Sequence, residues 1–192
     1  MTQTLAAVVL PPLVDPALLA SAFPDLPPDE LESAVIDASN TIRRCCGWHV
    51  SPPLDFDLLL DGTGGPTLFL PSLRVNSVTS VSDNGTDLDP TGIEWSEDGM
   101  IRRGSGTSVW SRRFRSIRVA FNSGFTAAEL GGFVALITAM ITRRGGDPTG
   151  TVASKTVGSV SVSYVPAAGS RTALLDSEEA FLAAGYVLPR RS

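Results

Sequence analysis

The chain has 192 residues, 43% apolar and 18% charged, so it can bury a sizeable core and is not a disordered tail. Its formal charge of −5 argues against a nucleic-acid coat held on by excess positive charge. The two cysteines, Cys45 and Cys46, are neighbours that would close almost no loop, and the single histidine, His49, leaves no second imidazole for a His-based metal site.

Residues 1–24 read as a lead-in. The opening MTQTLAAVVL lacks a basic n-region and runs into prolines, a poor match to a signal peptide. No run reaches the ~18 apolar residues of a membrane span, so the expectation is a soluble protein of a reducing, intracellular compartment. Asp15 before Pro16 predicts an N-capped short helix through about Ala22. A stronger helix follows Pro27-Pro28. Leu31, Ala34, Val35, Ala38, Ile42 and Cys45 recur at three- and four-residue steps, with acids in the first turn, Arg43-Arg44 in the last and Gly47 as terminator.

The middle is β. Leu54 to Leu60 and Thr67 to Leu70 flank Asp61-Gly-Thr-Gly-Gly65, which reads as a hairpin-type turn. A Ser/Thr/Val run through Val75, Val78 and Val81 ends at Asn84-Gly85. Ile93 to Trp95 and Met100-Ile101 flank another turn, and Ile117, Val119 and Phe121 alternate with Arg118 and Ala120. Thr126-Ala-Ala-Glu129 is a capping box that predicts a second strong helix, striped by Leu130, Phe133, Val134, Ile137, Met140 and Ile141. Thr151 to Val165 alternates again, and Asp176 to about Ala184 predicts a last short helix before Gly185.

The expected fold is α+β. It comprises a small helical bundle, two main helices plus short N- and C-terminal ones, with a central set of short antiparallel strands. The expected organisation is a lead-in over 1–24, a single α+β domain over 25–175, and a short helix with an extended docking tail over 176–192.

Catalytic chemistry is thinly represented. Gly62, Gly64 and Gly65 lack the Lys-Ser/Thr that a phosphate-binding loop needs, and Pro66 follows them. Cys45 or Cys46 with His49 is the one candidate thiolate pair, but Cys45 lies on the apolar stripe. Asp55 and Asp57 share one strand face, the pattern of a solvated surface more than of an acid/base pair. The expectation is a non-enzyme without metal or cofactor.

Charge is the informative feature. Residues 1–98 hold fifteen acids and three arginines, and residues 99–192 hold five acids and twelve basic residues. Arg102, Arg103, Arg112, Arg113, Arg115 and Arg118 form an acid-free run near Phe114 and Trp110. Arginines beside aromatics can grip phosphates and stack bases, can lie on a solvated strand, or can pair with the acidic half of a second copy. The last reading is favoured, which makes these six the expected inter-subunit residues of a heterologous contact, the kind that closes into rings.

The order of elements carries a resemblance. Cys46-Gly47-Trp48, Leu60 to Gly65, Leu68 to Pro71, Val75 to Val81 with Asn84-Gly85, Glu94-Trp95, Arg118 to Phe125, a capped helix and Gly158 to Tyr164 follow in sequence. Over about residues 15 to 190 this resembles the head-to-tail connector (adaptor or head-completion) proteins of long-tailed bacteriophages, particularly those of actinobacterial hosts. The resemblance implies a non-enzymatic ring, commonly of twelve copies, under the portal of a DNA-filled head. It implies as partners the portal protein and the next neck or tail-side protein, with DNA passing through the lumen without specific binding and no membrane. Location in the virion neck, after assembly in the host cytoplasm, follows. By position the portal-reaching segment is 176–192, with Phe181, Leu182, Tyr186, Leu188, Arg190 and Arg191 as expected docking residues. The alternatives are a tail-completion or terminator ring, and a nucleic-acid binder using the arginines of 102–118.

Overall fold

In the computed structural model the described residues are 10–104, 108–146, 154–157, 160–163 and 174–189. The chain is α+β, and it divides into two units, each discontinuous in sequence: residues 1–45 with 130–184, and residues 46–129 with 185–192. The strand-rich middle stands as its own unit, and the last short helix goes with the long ones.

The helical unit begins with a 3-10 turn, Pro16–Ala22, where Asp15 Oδ1 accepts the Ala17 N–H at 2.9 Å. Helix α1 spans Pro28–Cys46. Its predicted stripe is buried at Leu31, Ala34, Val35, Ala38 and Ile42, but Cys46, not Cys45, completes it. Both lie within one turn of Ile42, and the i+4 position is the one turned inward. The lead-in covers this helix. Leu13, Val14 and Leu19 are buried, Ser39 Oγ accepts the Leu13 N–H at 3.0 Å, and Arg43 donates to the Pro11 carbonyl at 2.6 Å.

Helix α2 spans Gly131–Gly146, later than the capping box suggests. Half of the box forms: Glu129 Oε2 accepts from the Thr126 N–H and hydroxyl at 2.8 and 2.7 Å, while the Glu129 N–H donates to the Thr126 carbonyl, closing a 3-10 turn, Ala127–Glu129. The α-helix then starts at Gly131, with the poor helix formers Gly131 and Gly132 in its first turn. Leu130, Phe133, Ile137, Met140 and Ile141 of the predicted stripe are buried, Val134 is half-buried, and Leu136, outside the stripe, is buried as well. Helix α3, Asp176–Ala183, buries Leu182 completely and sets Phe181 edge-on to Phe133, with ring centroids 6.0 Å apart. Ion pairs link the helices: Arg144 to Asp37 at 3.0 Å, and Arg143 to Glu178 through two hydrogen bonds of 2.5 and 2.9 Å.

Among the described residues the other unit holds seven strands: β1 Leu54–Leu60, β2 Thr67–Phe69, β3 Val75–Asp83, β4 Thr86–Leu88, β5 Ile93–Trp95, β6 Met100–Arg103 and β7 Ile117–Ser123. They form two antiparallel sheets, β1-β7-β3-β4 and β2-β6-β5. Leu68, Val81, Ile93, Ile101, Ile117, Val119 and Phe121 supply inward faces from both sheets to one core. The β3–β4 turn at Asn84-Gly85 and the β5–β6 hairpin form as the sequence predicts. The turn over 61–65 does not make a hairpin, because β1 and β2 belong to different sheets. In the helical unit, β8 Ser154–Val157 and β9 Val160–Ser163 pair antiparallel within the predicted 151–165 alternation.

A candidate interaction surface at residues 111–115

The arginine run splits into two groups. Arg102 pairs with Glu94 at 2.5 Å across β5 and β6, and Arg103 lies 3.5 Å from the nearly buried carboxylate of Asp83. Arg118 grips Asp57 with Nε–Oδ1 at 2.8 Å and NH2–Oδ2 at 2.6 Å across β1 and β7. Hydrogen bonding from Arg118 holds the Asp57 carboxyl below its usual value, and the same bond raises the guanidinium. Three of the six expected inter-subunit arginines are thus engaged within their own chain.

Arg112, Arg113 and Arg115 are exposed, and none forms an ion pair among the described residues. Between them Phe114 is 84% exposed, far beyond what an aromatic ring normally leaves in water. The loop that presents it is firmly built. Gly62 donates to the Arg113 carbonyl and Gly64 to the Ser111 carbonyl, both at 2.9 Å, so the 61–65 segment runs as a short ladder beside it. Asp61 Oδ1 accepts the Arg115 N–H at 2.7 Å, while Arg115 holds φ at +49°, an unusual conformation for a side chain of this size. Ser116 Oγ donates to the Arg113 carbonyl at 2.8 Å, and Asp83 Oδ2 accepts the Ser111 N–H at 3.2 Å.

Residue composition singles out the arginines but not their supports. Asp61 and Asp83 are the positioning groups, and no spacing rule marks either. Trp110, the aromatic companion expected from sequence, is 1% exposed and belongs to the core, so Phe114 alone carries that role.

The expected docking residues are dispersed. Leu182 is fully buried in the helical unit, so its side chain presents no surface to a partner in this conformation. Phe181 stays 39% exposed over Gly132. Tyr186 and Leu188 are half-buried rather than free: Trp48 Nε1 donates to the Tyr186 carbonyl at 2.8 Å, Leu188 N–H to the Cys46 carbonyl at 2.9 Å, and the Tyr186 ring meets Phe125 edge-on. Arg190 and Arg191 lie outside the described residues.

The nucleophile candidates are held in structural roles. Burial, reinforced by Glu179, pushes the Cys45 thiol up, away from the thiolate, and Cys46 is buried. His49 is nearly buried, with Nε2 2.8 Å from the Ser123 carbonyl oxygen, so that nitrogen carries a proton and donates. Asp55 and Asp57 are exposed and bonded by Asn122 and Arg118. Among the described residues no group of three His, Cys, Asp or Glu side chains could hold a metal, and no helix is long and apolar enough to cross a membrane. Compared with known proteins, the chain matches no family model and no curated sequence.

Proposed function

We propose that this chain is a structural protein of a phage neck, a head-to-tail connector that assembles as a ring, commonly of twelve copies, beneath the portal. It joins the DNA-filled head to the tail and continues the DNA channel without catalysing a reaction. The observation that carries the reading is the loop at 111–115. Three arginines without an ion pair among the described residues surround an exposed phenylalanine on a hydrogen-bonded turn, in a chain whose first half is rich in acid. Such a loop needs a partner surface to cover it, and an acidic one suits it best. The order of α and β elements, which resembles connector proteins, supports the same conclusion.

The portal and a tail-side protein are the proposed neighbours, and the virion neck the proposed location. Phe181 and the segment beyond residue 189 are the remaining candidates for portal contact. The test is attachment: purified chain is mixed with portal-bearing, tail-less heads, and the product is imaged by cryo-electron microscopy. A ring of this chain under the portal is expected, and heads that stay bare would overturn the reading.

A further inference from the structure

We infer that Phe114 of one copy seats in the groove between α1 and α2 of a neighbouring copy, with Asp29 and Glu30 at that groove meeting the flanking arginines. The inference rests on the ring reading and names the contact that would build it. The groove has a volume of about 750 Å³ and lies within the helical unit. Phe23, Leu26, Ala34 and Ile141 give it apolar walls, and Asp29 and Glu30 line it from the first turn of α1. Its volume falls in the range of ~300–1,000 Å³ typical of pockets that enclose a ligand, ample for a phenyl ring.

Charge decides the occupant. Asp29 and Glu30 are exposed and form no ion pair among the described residues. The cation that also lines the groove, Arg144, is taken up by Asp37, so the groove keeps its acidic character. The loop offers the converse: an apolar ring between Arg112, Arg113 and Arg115, again without ion pairs among the described residues. A nucleic acid would satisfy the arginines but would leave the acidic groove without a partner. A second copy satisfies both. Because the loop is already fixed by Asp61, Gly62 and Gly64, little ordering is left to be lost on docking. The two surfaces differ, so the contact is heterologous and propagates from copy to copy until it closes.

The test uses the full chain with Phe114→p-benzoylphenylalanine, irradiated at assembling concentration and mapped by mass spectrometry. Adducts joining two copies, from residue 114 to residues 22–34 or 141–144, are expected. Adducts confined to one chain, adducts elsewhere on the second copy, or no linked product would overturn the inference. In parallel, a loop variant (Arg112→Glu, Arg113→Glu, Arg115→Glu) and a groove variant (Asp29→Arg, Glu30→Arg) are weighed by mass photometry, separately and mixed. Each alone should lose self-association at least tenfold, and the mixture, in which every contact regains opposite charges, should recover it. No recovery on mixing would overturn the contact. If the variants still form rings under the portal, this contact is wrong while the connector reading stands. If the unaltered chain neither assembles nor attaches to heads, both fail. Capture of a duplex oligonucleotide by residue 114 in place of a second copy would assign the loop to nucleic acid instead.

Discussion

Gly62 lies against the backbone of Ser111 so closely that a Cβ on the glycine would stand 2.1 Å from the serine carbonyl oxygen. The contact is backbone to backbone, so no side-chain rotation can relieve it. Gly64, two residues on, has φ of +69° and would place a Cβ 2.4 Å from Arg112 Cγ. These two glycines allow the 61–65 segment to buttress the arginine loop.

Gly62→Ala and Gly64→Ala should therefore each destabilise the fold, by about 1–3 kcal/mol for the strained backbone that must result. Gly65→Ala is the control, because its nearest foreign atom, Thr63 Oγ1, is 3.7 Å from the added carbon. Denaturant midpoints of the three variants measure the difference. Equal midpoints for Gly62→Ala and Gly65→Ala would show that the ladder is not a support.

A second expectation concerns Glu178. Burial works against its charge, but the hydrogen bonds from Arg143 and from the Leu175 N–H outweigh it and hold the carboxyl below its usual value. A depressed carboxyl stabilises the fold above its unfolded pKa, near 4.3, and the contribution is lost as pH falls through that value toward the folded one. Glu178→Gln should thus be less stable than the parent at pH 7, with the gap closing in acid. Thermal melts from pH 7 to pH 3 check this, and a gap that widens in acid would contradict it.

What the sequence made legible follows from local physics. The α1 stripe, the β7 alternation, the Asn84-Gly85 turn and the last short helix are all set by residues within a few positions of each other. The 61–65 turn misled because glycines mark where a chain bends or is closely approached, but not which strand it will lie beside. Arg102 and Arg118 looked alike as surface cations. Their partners, Glu94 and Asp57, lie 8 and 61 positions away, and only the strand register brings the second pair together. Arg112, Arg113 and Arg115 form no ion pair among the described residues, because the segment beside their loop, 61–65, offers its one carboxylate, Asp61, to the Arg115 N–H.

The C-terminal region carries a third expectation, because part of it is packed into the fold. If 176–192 were only a docking tail, its removal would leave the fold intact. Leu182 is fully buried, Glu178 binds Arg143, and residues 186 and 188 hydrogen-bond to Trp48 and Cys46. Deletion from Asp176 onward should therefore prevent stable folding. Leu182→Ala alone should cost about 2–5 kcal/mol, the usual range for a buried leucine truncated to alanine. A chain ending at Pro189 keeps all of these contacts and should melt near the parent temperature. Circular dichroism melts of the three proteins decide it, and a parent-like melt for the Asp176 deletion would refute it.

The last expectation is that the full chain does not bind duplex DNA tightly. Each phosphate contact made by a basic side chain releases counterions, and affinity gained this way falls steeply with salt. Of the six arginines in the 102–118 run, Arg102, Arg103 and Arg118 are already engaged by Glu94, Asp83 and Asp57. Within that run Arg112, Arg113 and Arg115 make no ion pair among the described residues and can meet phosphate, and the chain around them carries a formal charge of −5. Three contacts opposed by a net negative field give weak, salt-sensitive association. A conduit would need this property, since DNA gripped along its wall could not slide. Fluorescence anisotropy with a labelled duplex, titrated from low to physiological salt, should show binding that fades as salt rises and a slope of no more than about three released ions. Submicromolar affinity at physiological salt would mean that the loop grips DNA, and the conduit argument would fail with it.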